Sequence, residues 1–311
     1  MNLVTGGAGF IGSHLVDALV RAGEPMRVLD DLSSGREENL AASLAKVELV
    51  RGSVADAATV RRAMAGVRRV FHLAARPSVQ KSFEEPELAH EVNAGGTMRV
   101  AVEAARAGVE RLIFAGSCAV YGDAGAGPAV EEQRLDPKSP YAAQKLLGEH
   151  YCRLLGAGRG LRAVVLRFFN VYGPRQDPGS PYSGVISVFC EKLLRNEPPL
   201  IFGDGKQTRD FVCVDDVVQA LTRAATADVA SGATFNVASG RSRSLLDLVA
   251  ALAAATGAKA SPEFAPARVG DIVHSTADIA RARRDLGYDP AVRFEEGLAR
   301  TVAWYRDRRG A

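Results

Sequence analysis

Short apolar runs recur through the first half of the chain, at 2–5, 26–30, 47–51, 69–73, 111–115 and 163–168. Each is too short for a helix and is rich in Val, Leu, Ile and Phe, which predicts strands buried on both faces. Between them lie stretches of helical period, including 11–20, 60–65 and 95–107. Strand–helix alternation of this kind predicts an α/β fold, with a parallel, doubly wound sheet of Rossmann type. Beyond residue 170 the pattern changes. The stretch 173–184 is rich in Pro, Gly and Ser, and 122–128 and 203–205 read as turns. Helical periodicity returns at 245–256 and 295–306, and 235–239 reads as one more strand, returning to the main sheet. The predicted division is therefore discontinuous. Residues 1–169, with roughly 212–240, form a nucleotide-binding domain; 170–211 and 241–311 form a smaller α/β substrate-binding domain.

The first strand runs directly into Gly7-x-Gly9-x-x-Gly12, preceded by Gly6. Glycines there permit a tight turn and close approach of backbone to a pyrophosphate, which the N–H groups of the following helix would face. The second strand ends at Asp30, 18 residues after Gly12, where an acceptor for an adenosine ribose 2′-hydroxyl is expected. A carboxylate there repels a 2′-phosphate, so NAD rather than NADP is the expected cofactor.

Candidate chemistry sits in Ser139-Pro-Tyr-Ala-Ala-Gln-Lys145. Pro140 suits the first turn of a helix, and the i, i+4 spacing places Tyr141 and Lys145 on one face. Tyr is a poor base near its reference pKa of about 10; bringing it to about 7 takes roughly 4 kcal/mol. A neighbouring ammonium and a cationic nicotinamide are the expected sources of that shift. Ser117 sits just beyond the fifth strand, at the sheet edge where α/β ligands bind, placed to hydrogen-bond a reacting hydroxyl. Arg209 and Arg268 stand in polar segments of the second region, and guanidinium forks suit diphosphate oxygens.

Composition adds limits. The net charge of +3 gives no argument for nucleic acid. No run reaches the ~18 apolar residues of a membrane span. The first strand begins at residue 2, which predicts no signal peptide. Cys118, Cys152, Cys190 and Cys213 show no metal-binding spacing and read as free thiols of a cytoplasmic protein. No bound metal is expected.

The chain resembles the extended short-chain dehydrogenase/reductases, and among them the NAD-dependent UDP-hexose 4-epimerases. The resemblance rests on TGGAGFIGSH (5–14), VLDDLSSG (28–35), FHLAA (71–75), Asn93-Ala-Gly-Gly-Thr97, the Ser117 segment, the Tyr141/Lys145 pair, RFFNVYGPRQ (167–176), GDGKQTRDFVCVDD (203–216) and RVGD (268–271). It covers nearly the whole length. It implies Ser117, Tyr141 and Lys145 as catalytic residues. Gly6, Gly9 and Gly12 match the pyrophosphate loop, with Phe10 and Ile11 beneath it. Asp30 matches the ribose acceptor, with Asp31, Ser33, Ser34 and Gly35 beside it. Val54, Leu73, Ala74, Ala75, Asn93 and Phe168 fall on the cofactor side. Asn170, Leu200, Phe202, Arg209, Arg268 and Asp271 match positions that hold the nucleotide sugar.

One position departs: the family often shows Gly-Asp after the third strand, and here it is Gly52-Ser53, leaving a hydroxyl for the adenine contact. Ser275 stands where the family has a bulky Tyr or a small residue, which implies room for a 2-acetamido group. The implied reaction is 4-epimerisation of UDP-Glc/UDP-Gal, and of UDP-GlcNAc/UDP-GalNAc, through a 4-keto sugar. UDP-glucuronate, through Arg76, is the alternative substrate. A 4,6-dehydratase would need an Asp-Glu pair where this chain has Ser117-Cys-Ala119. A non-catalytic NAD-sensing protein is the reading from another class. The family pairs the helices at 95–107 and 141–155 into a dimer, so a homodimer is implied, with Met98, Val102, Leu146 and Leu147 facing outward.

Overall fold

The computed structural model describes residues 1–123, 125, 127–177, 184–267 and 273–310. Its strands are β1 (Asn2–Thr5), β2 (Met26–Asp30), β3 (Val47–Arg51), β4 (Arg69–His72), β5 (Arg111–Ser117) and β6 (Arg162–Phe168), followed by β7 (Asn170–Tyr172), β8 (Leu200–Phe202), β9 (Thr208–Cys213), β10 (Ala233–Val237), β11 (Ser242–Ser244) and β12 (Glu263–Ala265). Among the described residues, seven strands form one sheet in the order β10-β6-β5-β4-β1-β2-β3. Every pairing in it is parallel. The chain winds outward in both directions from β1, so this is the doubly wound Rossmann-type sheet that the sequence predicts. The six early strands stand where the apolar runs place them, and β10 joins the far edge beside β6.

The sheet is buried on both faces. Along each strand successive residues enter opposite cores: Val4, Val28, Phe71, Ile113 and Val164 on one side, Leu3, Leu29, Val70, Leu112 and Val165 on the other. Period-two side-chain alternation with apolar residues at both phases produces this, and it is why the strands read as unbroken runs. A third core gathers residues from beyond 170, among them Tyr172, Phe189, Phe211, Leu248 and Leu298. There β7, β9 and β11 make one small sheet and β8 and β12 another. Ala277, Ile279, Ala282, Leu286 and Tyr288 instead pack into the first core, beside Phe235 and Val217.

Two helices aim the site. The first, Phe10–Arg21, begins directly after the glycine turn, with Gly9 at its N-cap. The second, Pro140–Arg159, starts with Pro140 in its first turn, and the Ser139 hydroxyl accepts from the Ala142 N–H at 3.1 Å. That cap fixes the start of the helix, and with it the register of Tyr141 and Lys145.

Candidate active site

A cleft of about 760 Å³ opens along the C-terminal edge of the sheet, where the strand order reverses between β1 and β4. One end is the glycine turn. Gly6 has φ +71°, and a Cβ on it would stand 2.7 Å from the Ala74 nitrogen. A Cβ on Gly12 would stand 2.1 Å from the Gly6 carbonyl oxygen, well inside contact distance. The turn therefore packs so tightly that it presents bare backbone to the cleft.

Asp30 closes this end. It is buried, and its carboxylate accepts from the N–H groups of Ala8 and Leu32, each at 2.9 Å. Leu32 is held with φ +56°, an unfavourable conformation for a leucine, and its bond to Asp30 helps keep it there. Burial raises the Asp30 pKa, and the two N–H groups oppose the rise. Asp31, Ser33, Ser34 and Gly35 follow along the wall, with Asp31 accepting from the Ser33 hydroxyl at 2.6 Å.

At the other end lie Ser117, Tyr141 and Lys145. The Ser117 hydroxyl and the Tyr141 phenol line the same end of the cleft, close enough for Ser117 to favour the ionised phenol. Lys145 is buried; its ammonium donates to the Ala115 carbonyl at 2.9 Å and stands 5.9 Å from the centre of the Tyr141 ring. Burial pushes the Tyr141 phenol up to about 12, although Ser117 pulls against it, and brings the Lys145 ammonium down to about 8. The expected lowering of Tyr141 is thus not supplied by the protein's own groups: Lys145 is spaced correctly, but its ammonium turns toward the strand carbonyl. Cys118 lines the same floor. Burial pushes its thiol up to about 12, so it packs there as an inert neighbour.

Most predicted site residues line this one cleft: Gly6, Gly9, Phe10, Ile11 and Gly12; Val54, Leu73, Ala74 and Ala75; Phe168 and Asn170. Asn93 lies directly behind it. Its side-chain carbonyl accepts from the Arg76 N–H at 2.7 Å, and its amide donates to Gln144 at 2.8 Å, tying the Ala75–Arg76 wall to the Tyr141 helix. The surrounding Glu91–Gly96 segment forms a π-helical turn, a distortion frequent at functional sites. Ser53 does not line the cleft; its hydroxyl accepts from the Ala55 N–H at 3.2 Å. Leu200, Phe202, Arg209 and Ser275 do not line the cleft. Arg209 nevertheless lies close enough for its charge to act on Cys118, and the Ser275 N–H donates to Thr208 beside it at 3.2 Å. Arg268 and Asp271 lie outside the described residues.

Several wall residues have no role in the sequence reading. Arg36 forms an ion pair with Asp177, and Arg308 lies 3.7 Å from the same carboxylate. This joins the loop after β2, the segment after β7 and the C-terminal helix across the cleft mouth. Asp177 directly follows RFFNVYGPRQ, but nothing in the spacing announces a contact 141 positions back to Arg36.

The sequence pattern of the NAD dependent epimerase/dehydratase family matches residues 2–238. The chain belongs to that family. A UDP-glucose 4-epimerase of Mycolicibacterium smegmatis is 44% identical over 310 residues, 98% of each chain. Two solved structures superpose closely. One is a UDP-glucose 4-epimerase of Thermotoga maritima with UDP-glucose, with TM-score 0.94, 39% identity and 99% of each chain covered. The other is a UDP-N-acetylglucosamine 4-epimerase of Methanobrevibacter ruminantium in complex with UDP-N-acetylmuramic acid, with TM-score 0.94, 36% identity and 99% and 98% covered. The expectation of an NAD-dependent enzyme of the UDP-glucose 4-epimerase type of isomerase agrees with these relatives, and NAD is the family's cofactor. The residues present fit that cofactor. The glycine turn leaves the space a Cβ would fill, and Asp30, at the end of β2, puts a carboxylate on the cleft wall where a ribose hydroxyl could bond to it.

Asp30 also sets the expected discrimination between cofactors. Its charge would oppose the 2′-phosphate of a bound NADP. Replacing Asp30 with Asn is expected to raise NADP affinity relative to NAD by roughly tenfold. Competitive titration of the two dinucleotides measures this, and an unchanged ratio would place the discrimination elsewhere.

Proposed function

We propose that the enzyme inverts C4 of UDP-hexoses, acting on UDP-Glc/UDP-Gal and on UDP-GlcNAc/UDP-GalNAc. The observation that carries this is the meeting of Ser117, Tyr141 and Lys145 at one end of a cleft whose other end is the glycine turn, with no acid at 118 or 119. Bound NAD supplies the hydride acceptor and donor for C4. Tyr141, as phenolate, takes the O4 proton, and Ser117 holds the same oxygen by a hydrogen bond. With Lys145 donating to Ala115, a cationic nicotinamide would supply the charge that favours the ionised phenol against burial. The 4-keto sugar turns over in the cleft; bound NAD would return hydride to the opposite face of C4, and Tyr141 gives the proton back to O4, with no net redox change. A dehydratase would also need an acid and a base to drive loss of the C6 hydroxyl, and Cys118 and Ala119 provide neither.

In this reading residues 170–211 and 241–311 hold the nucleotide sugar, with Arg209, Arg268 and Asp271 on the diphosphate and uridine, against a cofactor side formed by 1–169 and roughly 212–240. The helices Thr97–Arg106 and Pro140–Arg159 form a homodimer interface, a reading supported by exposed Met98 and Leu154, whereas Leu146, expected to face outward, packs against the first core. Four unpaired thiols fit a reducing, cytoplasmic setting.

A second reading, UDP-glucuronate as substrate, draws on Arg76, which lines the cleft near the Ser117 end. Its guanidinium is already engaged by Glu85 at 3.3 Å, which favours the neutral hexoses. Purified enzyme incubated separately with UDP-Glc, UDP-GlcNAc and UDP-GlcA, without added NAD, tests both readings, with products resolved by chromatography. The C4 epimers of the first two support the proposal; conversion of UDP-GlcA alone would replace it. Ser275→Tyr is expected to reduce kcat/KM on UDP-GlcNAc by roughly 10- to 100-fold while changing UDP-Glc by less than about threefold. Equal loss on both sugars would remove Ser275 from the specificity argument.

A further inference from the structure

Glu149 follows Lys145 by one helical turn and Tyr141 by two, and so stands on the same helix face. Neither the proposed reaction nor the cofactor site uses it. It is fully buried, and its two oxygens accept from Arg167 Nε at 2.9 Å and Nη2 at 2.8 Å, a bidentate pair. Arg167 is itself 3% exposed and lies on β6, directly opposite Gly116 of β5; the next pair in register is Ser117 and Phe168. The approach is close: a Cβ on Gly116 would stand 3.2 Å from Glu149 Oε1.

The other Arg167 nitrogen, Nη1, donates to the Tyr121 hydroxyl at 2.9 Å and to the Glu131 carbonyl at 3.1 Å. Tyr121 ends the turn that leaves Ser117, and its hydroxyl donates to Asn236 of β10 at 2.6 Å. A single guanidinium thus grips the Tyr141/Lys145 helix, the turn after Ser117 and, through Tyr121, the last strand of the sheet.

We infer that the buried Glu149–Arg167 pair is the positioning device of the active site: it sets the Tyr141 helix at a fixed distance from the Ser117 strand. The inference rests on the roles proposed for Ser117, Tyr141 and Lys145. A buried ion pair is weak evidence of stabilisation, because desolvation offsets most of its attraction, and a retained pair is better explained by the geometry it imposes. Arg in this place is not interchangeable with Lys, since only the planar fork reaches helix and turn together. Reacting groups displaced by about 1 Å lose on the order of 10²-fold in rate while ground-state binding, made elsewhere, persists.

The expected signature is a split between kcat and KM. Glu149→Gln lowers kcat on the UDP-hexose about 10²-fold with KM within about threefold, and Glu149→Asp, which keeps the charge, recovers at least about tenfold of that loss. Arg167→Lys shows the same split and serves if Glu149→Gln does not fold. Equal disturbance of kcat and KM, or no recovery with Asp, would mark the pair as merely structural. A crystal structure of Glu149→Gln decides the matter without any substrate: a Tyr141 hydroxyl shifted from Ser117 supports the inference, and an unmoved one overturns it. Failure of the parent enzyme on every UDP-hexose would instead sink the substrate reading and leave that structural result standing.

Discussion

Tyr141→Phe is expected to lower kcat by about 10³-fold or more while NAD remains bound. The substitution removes one oxygen from a half-buried ring and leaves the helix, its Ser139 cap and the Lys145–Ala115 bond in place. Binding is therefore spared, and what disappears is the proton acceptor that the proposed mechanism assigns to Tyr141. Burial pushes the Tyr141 phenol up to about 12, so in the proposed mechanism its ionisation depends on the charges brought in when the site is filled. Epimer formation with UDP-Glc, followed alongside the ultraviolet signature of bound dinucleotide, measures both halves of the prediction. Turnover within a fewfold of the parent would remove Tyr141 from the mechanism; loss of dinucleotide together with activity would make it a binding residue.

Gly12→Ala is expected to weaken NAD binding by roughly 10²-fold, from about 3 kcal/mol of overpacking. A single methyl is a small change, but at this position it would stand 2.1 Å from the Gly6 oxygen and 2.8 Å from the Gly7 Cα, both backbone atoms that cannot rotate aside. The turn must open, and the face it shows to a pyrophosphate is lost with it. Calorimetric titration gives the affinity directly. The thermal midpoint supplies a second check: saturating NAD raises it in the parent through mass action and raises it far less in the variant at the same concentration. An unchanged affinity would mean that the helix N-terminus, and not the packing of the turn, holds the cofactor.

Much of this was legible in the sequence because its signals are local. The strands of the main sheet are apolar on both faces, so each appears as a short unbroken run, and the glycine turn, Asp30 and the Tyr141/Lys145 pair each span one turn or one strand–helix unit. The second region was harder. β7, β8, β11 and β12 have three residues apiece, too few to display an alternation. The segment containing Ala277 and Tyr288 falls in the expected second domain but packs into the first core, a choice made by tertiary contact alone. The Arg36–Asp177 and Glu149–Arg167 pairs were invisible for a similar reason, since charges on separate elements find each other only after the sheet is assembled. Tyr141 shows the limit in chemical form. Spacing placed an ammonium near the phenol, but only the coordinates show that this ammonium points at Ala115 and that burial dominates.

The place of β10 at the sheet's edge has a consequence for synthesis. While the ribosome is still producing the small strands of the second region, β6 is the outermost strand on its side. Its unpaired N–H and C=O groups then face water, with Val164, Val165 and Leu166 in the same segment. That edge closes only when residues 233–237 emerge, so a nascent chain stalled before them carries an open, apolar template for pairing with a neighbour. The strand that completes the main sheet is thus the one that covers β6.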